Sequence, residues 1–197
     1  MKRNSGNAFA LFIAALLFAG CATTEVTSYW KDTGYHTQPH KILVIALLKN
    51  KDYRTALEDE FALQLDKKGL AVTTGSRAFP ESTPGNKAEL NRYLRDHGYD
   101  SFLLVRIVAW KDLVANAPET GPTWPDFYSL DNDIDSLPDT GVQERIAMAE
   151  ANLYDAATGK LFWTAATQTP IDEINHDLMV DYVVEIIKQM QRNGVVR

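Results

Sequence analysis

Apolar residues are distributed along this chain in three kinds of pattern, and each predicts a different element. "KILVIALL", residues 41–48, is a short continuous apolar run rich in branched residues, which predicts a buried strand. After it Tyr53, Leu57, Phe61 and Leu65 recur every four residues, the spacing of an amphipathic helix, with Asp52 able to cap its start and Gly69 to end it. "LAVTT", 70–74, reads as a second strand. "TPGNKAELNRYLRDHG", 83–98, reads as a second helix with Leu90, Tyr93, Leu94 and His97 on one face and Gly98 at its end. "SFLLVRIVAW", 101–110, is a third strand. Beyond a long insert, residues 143–155 and 160–169 are extended runs joined by Ala156-Ala157-Thr158-Gly159, which predicts a hairpin. A last helix opens at Asp172, and its apolar stripe is Ile174, Leu178, Tyr182, Val183, Ile186, Ile187 and Met190. The order β-α-β-α-β-β-β-α predicts an α/β (α+β) fold. Parallel strands need helical crossovers and hairpins do not, so the sheet should be mixed and covered by helices.

The amino terminus follows none of these patterns. Lys2 and Arg3 precede an unbroken apolar run, Ala8 to Ala19, which Gly20 and Cys21 close with small residues. That order of charge, run and small-residue junction is a secretory signal peptide. The run is short of the roughly 20 apolar residues that a spanning helix needs, and nothing amphipathic or capped marks it as a core helix. Cys21 is the only cysteine, so no intramolecular disulfide can form and no second thiol can share a metal.

The residues Leu17-Phe18-Ala19-Gly20-Cys21 resemble the lipobox of bacterial lipoproteins, with Phe18 where that family usually has Leu, Val or Ile. The resemblance implies that Cys21 is lipidated on sulfur and becomes the mature amino terminus. Diacylglycerol plus an acyl chain then anchors the protein, since stable anchoring needs at least two such signals. Lipoproteins kept at the inner membrane commonly carry Asp after the cysteine. Ala22 is not Asp, so the resemblance implies the outer membrane, facing the periplasm. Residues 1–20 are thus expected to be a signal peptide and 21–40, polar and without periodicity, a lipidated tether. A single domain is expected over 41–193, with a long insert at 111–141.

Charge narrows the partners. The chain carries 20 basic and 26 acidic residues. Without residues 1–20 it retains 177 residues, with 18 basic against 26 acidic, a balance near −8. No basic stripe exists to neutralise phosphates, so no nucleic acid partner is expected, and electrostatic docking to anionic lipid is disfavoured.

"KILVIALLKNKDYRTALEDEFALQLDKKGLAV" resembles the opening strand, helix and strand of the TolB amino-terminal-like fold, shared by the curli-secretion lipoprotein CsgG and the penicillin-binding-protein activator LpoB. "LYDAATGKLFWTA", 153–165, is similar to a late hairpin of such lipoproteins, in which a strand ends in Tyr-Asp and returns through an aromatic and Trp. The resemblance implies a fold and a compartment, and no activity.

No catalytic constellation emerges from the residues. His36, His40, His97 and His176 have no metal-ligand spacing, and capping or surface roles are expected of them. Ser76 lies outside any G-x-S-x-G turn. Glu58, Asp59 and Glu60 read as the solvated exterior of a helix. With neither G-x-x-x-x-G-K-[ST] nor G-x-G-x-x-G present, no nucleotide or other cofactor is expected. Asp131, Asp133 and Asp135 alternate as in a calcium loop, but Ser136 stands where the sharp-turn Gly belongs and Val142 where the bidentate Glu belongs. That leaves a looser metal contact or a plain acidic loop.

The insert 111–141 is the unusual feature. Structureless connections beyond about 12–15 residues are uncommon in compact domains and are functional or disordered. This one holds Pro118, Pro122, Pro125, Pro138 and seven acidic residues, and it gathers Trp124, Phe127 and Tyr128 within five positions. Aromatics lose little side-chain entropy on docking and anchor interfaces. Either these three bind a protein partner or they fold back over the sheet. The expected function is a non-enzymatic envelope adaptor for an assembly, secretion or peptidoglycan-synthesis partner. The alternative is a hydrolase or small-ligand-binding protein whose site is built from distant residues.

Overall fold

The structure is a computed structural model, and it describes residues 24–80, 86–108, 145–171 and 175–197. Its strands are β1 (Glu25–Lys31), β2 (Lys41–Leu47), β3 (Ala71–Thr74), β4 (Ser101–Val108), β5 (Arg145–Asp155) and β6 (Leu161–Ile171). Its helices are α1 (Lys51–Asp66), α2 (Gly75–Ala78), α3 (Lys87–Asp96) and α4 (His176–Arg192). The strands form one sheet in the order β1-β6-β5-β4-β2-β3. β2 is parallel to β3 and β4, whereas β4/β5, β5/β6 and β1/β6 are antiparallel. The fold is therefore a mixed α/β sheet covered by helices, as the patterning predicts.

Alternation along the strands divides the core into two layers. Ile42, Val44 and Ala46 of β2 face Leu57, Phe61 and Leu65 of α1, together with Val183, Ile186 and Met190 of α4. Leu43 and Ile45 point the other way, onto Leu90 and Leu94 of α3. β2 can read as a continuous apolar run because both its faces are covered.

Two boundaries differ from expectation. Residues 25–31 are a strand, not part of a tether. β1 pairs with β6 from Glu25↔Gln168 to Lys31↔Trp163, and Thr24 Oγ1 lies 2.9 Å from Thr169 Oγ1. Val26, Tyr29 and Trp30 favour an extended strand, but an edge strand buries little, and a bulge between Val26 and Ser28 breaks what alternation it has. The helix caps differ too. Asn50, not Asp52, caps α1, its Oδ1 accepting from the N–H groups of Asp52 and Tyr53 at 3.0 and 3.1 Å. Asn175 caps α4 by accepting from Leu178 N–H, and Asp172 lies outside the described residues.

The hairpin motif has a physical basis. Asp155 Oδ1 accepts from both the N–H and the hydroxyl of Thr158 at 2.7 Å, fixing the turn, and Gly159 supplies the positive φ of 69° that closes it. Trp163 is fully buried and donates its Nε1–H to Asn193 Oδ1 at 2.9 Å, tying β6 to the end of α4.

Candidate functional site

β2 leads into α1 on one face, and the adjacent β3 leads through α2 to α3 on the other. β3 is the edge strand of the pair and ends before β2 does, so a gap is left beside the end of β2.

A carboxylate of the chain itself fills it. β3 stops at Thr74, opposite Val44, so the N–H of Ala46 two residues on has no strand partner on that side. Glu58 of α1 takes that place, its Oε1 accepting from Ala46 N–H at 2.9 Å. Its Oε2 accepts from the N–H and the hydroxyl of Ser76 at 2.7 and 2.6 Å. Ser76 Oγ also lies 3.2 Å from Thr55 Oγ1. A Cβ at position 75 would sit 2.8 Å from Glu58 Oε1, so any larger residue there would displace the carboxylate. Burial pushes the Glu58 carboxyl above the usual carboxylate range, while the Ala46 and Ser76 hydrogen bonds and the charge of Arg54 pull it back.

This corrects the reading of residues 58–60 as a solvated face. Glu58 is fully buried and Glu60 is 8% exposed, its Oε1 accepting from Gln64 Nε2 at 2.7 Å. Only Asp59 is open, and it pairs with Arg77 at 3.4 Å. Glu58 follows Leu57 by one position, about 100° round the helix, and so sits on the flank of the apolar stripe that turns towards the strand ends. The clue in the sequence is the shortness of β3, which leaves a ladder position for a side chain to fill.

The other candidates are dispersed. His36, His40, His97 and His176 are exposed, and His97 Nδ1 lies 2.9 Å from Tyr93 O at the end of α3. Among the described residues no group of three His, Cys, Asp or Glu could hold a metal ion. Cys21, Trp124, Phe127, Tyr128, Asp131, Asp133 and Asp135 all lie outside the described residues. The flanks of the 111–141 insert are placed, however. Val108 pairs with Met148 and Arg145 with Ile171, so the chain leaves β4 and enters β5 at the end of the sheet where β1 begins.

A hollow of about 830 Å³ lies along β1, lined by Thr24, Tyr29, Ile146, Gln168, Glu185 and Arg192 among others. Of its charged groups Arg192 and Glu185 pair, Nη1 standing 3.1 Å from Oε1, and Glu25 lines it as well. No helix among the described residues is long and apolar enough to cross a membrane.

No family model matches the chain, and no curated protein matches it in sequence. Among solved structures it is similar to the PelC dodecamer from Paraburkholderia phytofirmans, with 12% identity and a TM-score of 0.48 over 85% of this chain and 97% of that one. It is also similar to lipoprotein GNA1162 from Neisseria meningitidis, with 15% identity and a TM-score of 0.41 over 78% of this chain and 99% of that one.

Proposed function

We propose that this protein is a non-enzymatic outer-membrane lipoprotein of the TolB amino-terminal-like kind, anchored through lipid on Cys21. In this reading it faces the periplasm and binds a protein of envelope assembly, secretion or peptidoglycan synthesis. One observation carries the non-enzymatic reading. Glu58, the buried carboxylate at the ends of β2 and β3, has both oxygens committed to Ala46 and Ser76 as a structural cap. The Ser76 hydroxyl donates to the same carboxylate, so Ser76 and Glu58 tie the end of β3 to α1.

The anchor is tested by Cys21→Ser, which is expected to abolish membrane retention because lipid attaches only through the thiol. Palmitate should label the wild type and not the variant. A wild-type protein found unlabelled and free in the periplasm would end this reading.

Recognition is assigned to Trp124, Phe127 and Tyr128 in the insert. Truncating a true anchor residue costs about 2 kcal/mol or more in binding, roughly a thirtyfold loss of affinity. Aromatics that do not pack on the core can be lost with stability unchanged to within about 0.5 kcal/mol. The triple alanine variant, purified from detergent-solubilised membranes, should therefore lose co-purifying proteins and keep its melting temperature. Retained partners with a melt lowered by several degrees would make the three aromatics cover for the sheet and place recognition elsewhere.

A further inference from the structure

We infer that the end of the sheet carrying the start of β1 faces the lipid surface, with the 111–141 insert leaving the domain at that same end, so that the domain stands upright on the bilayer. The inference rests on the lipid-anchor reading and adds an orientation to it. Only residues 22 and 23 separate Cys21 from Thr24, and Thr24 is already held, its Oγ1 2.9 Å from Thr169 Oγ1. A chain advances at most about 3.3–3.6 Å per residue, so three steps hold Thr24 within about 11 Å of an anchored cysteine. β1 continues as a strand hydrogen-bonded to β6 with no slack in between. A loose tether would let the domain tumble, whereas a strand locked into the sheet passes its direction to the whole body.

The exposed side chains at that end are mixed, with Glu25, Lys51 and Asp52 at headgroup level beside two apolar ones that can enter the lipid surface. Ile146 opens β5 and is 40% exposed, and Tyr53 in the first turn of α1 is 38% exposed. α1 starts where β2 ends, so both residues belong to the same end as Thr24. Tyrosine is favoured at membrane interfaces because its ring is apolar and its hydroxyl polar. Tyr29 and Leu63, also exposed, lie farther down the body. The opposite end presents Asp66, Lys67, Asp96 and Lys160, all exposed and suited to water. β6 alone, with 11 residues, separates the two ends by about 35 Å.

The test reads depth at two places in the full lipidated protein. With Cys21 consumed as a thioether, a cysteine introduced by Tyr53→Cys or by Lys160→Cys is the only free thiol and can carry a fluorophore. Each variant, purified from membranes, is placed in phosphatidylethanolamine–phosphatidylglycerol vesicles containing brominated lipid. The label at position 53 should lose most of its fluorescence and the label at 160 almost none. Lys51→Cys, exposed in the same turn, replaces Tyr53→Cys if that variant does not fold. Equal quenching at both ends, or stronger quenching at 160, would overturn the orientation while leaving the anchor intact. Protein that fails to float with the vesicles would overturn the anchor reading, and the orientation with it.

Discussion

Ile186→Asp is expected to leave the domain unfolded. Ile186 is fully buried on α4, within the layer formed by Phe61, Tyr182, Val183 and Met190. Removing its side chain forfeits about 2–5 kcal/mol of packing, and a carboxylate set there without a partner costs several kcal/mol more or must take up a proton. Together these approach the whole stability of an ordinary domain, about 5–15 kcal/mol. Circular dichroism should show the loss of helix and strand signal at room temperature. Ile186→Val, which keeps the shape and loses one methylene, should cost only about 0.5–1.5 kcal/mol. A melt for Ile186→Asp equal to that of the wild type would mean that α4 does not pack on α1 and the sheet.

Glu58→Ala is expected to be the next most damaging change. It strands the N–H of Ala46 and the N–H of Ser76, which Glu58 alone satisfies at the ends of β2 and β3. An orphaned buried donor costs about 1–3 kcal/mol, and of the two only the Ala46 N–H is fully buried, so urea unfolding should register a loss of about 1–3 kcal/mol. Glu58→Gln should fall between the variant and the wild type, because its one oxygen can serve only one of the two strand ends. The carboxylate also sets a pH dependence of definite sign. Burial raises its pKa in the folded state, so the folded chain holds this proton more tightly than the unfolded one. The Glu58 contribution to stability should then fall as pH rises from about 4.3, the ordinary glutamate value, through the raised folded value. Glu58→Gln should lack this component. If Glu58→Ala melted like the wild type, the carboxylate would not be what holds the ends of β2 and β3.

The legible parts of this fold are those in which burial dictates residue type. β2, α1, α3, the β5–β6 hairpin and α4 each bury a face, and their periodicities announce it. β1 was hidden for the opposite reason. An edge strand with one paired side and a bulge need not alternate, so "EVTSYWK" looks like linker. Glu58 was hidden because a helix-borne carboxylate is ordinarily solvated. What buries it is tertiary, namely a neighbouring strand that ends two residues early and leaves Ala46 without a partner. The caps show the same limit at short range. Asp52 and Asn50 are both good capping residues, and only the path of the chain out of β2 decides that Asn50 does the work.

The most direct test of the account is the intact mass of the protein purified from membranes, followed by the mass of its amino-terminal peptide. The expected product is a chain that begins at Cys21, lacks residues 1–20, and carries a diacylglyceryl group on sulfur and an acyl chain on the new amine. A mature chain that begins elsewhere, keeps residues 1–20, or carries Cys21 as a free thiol would contradict it.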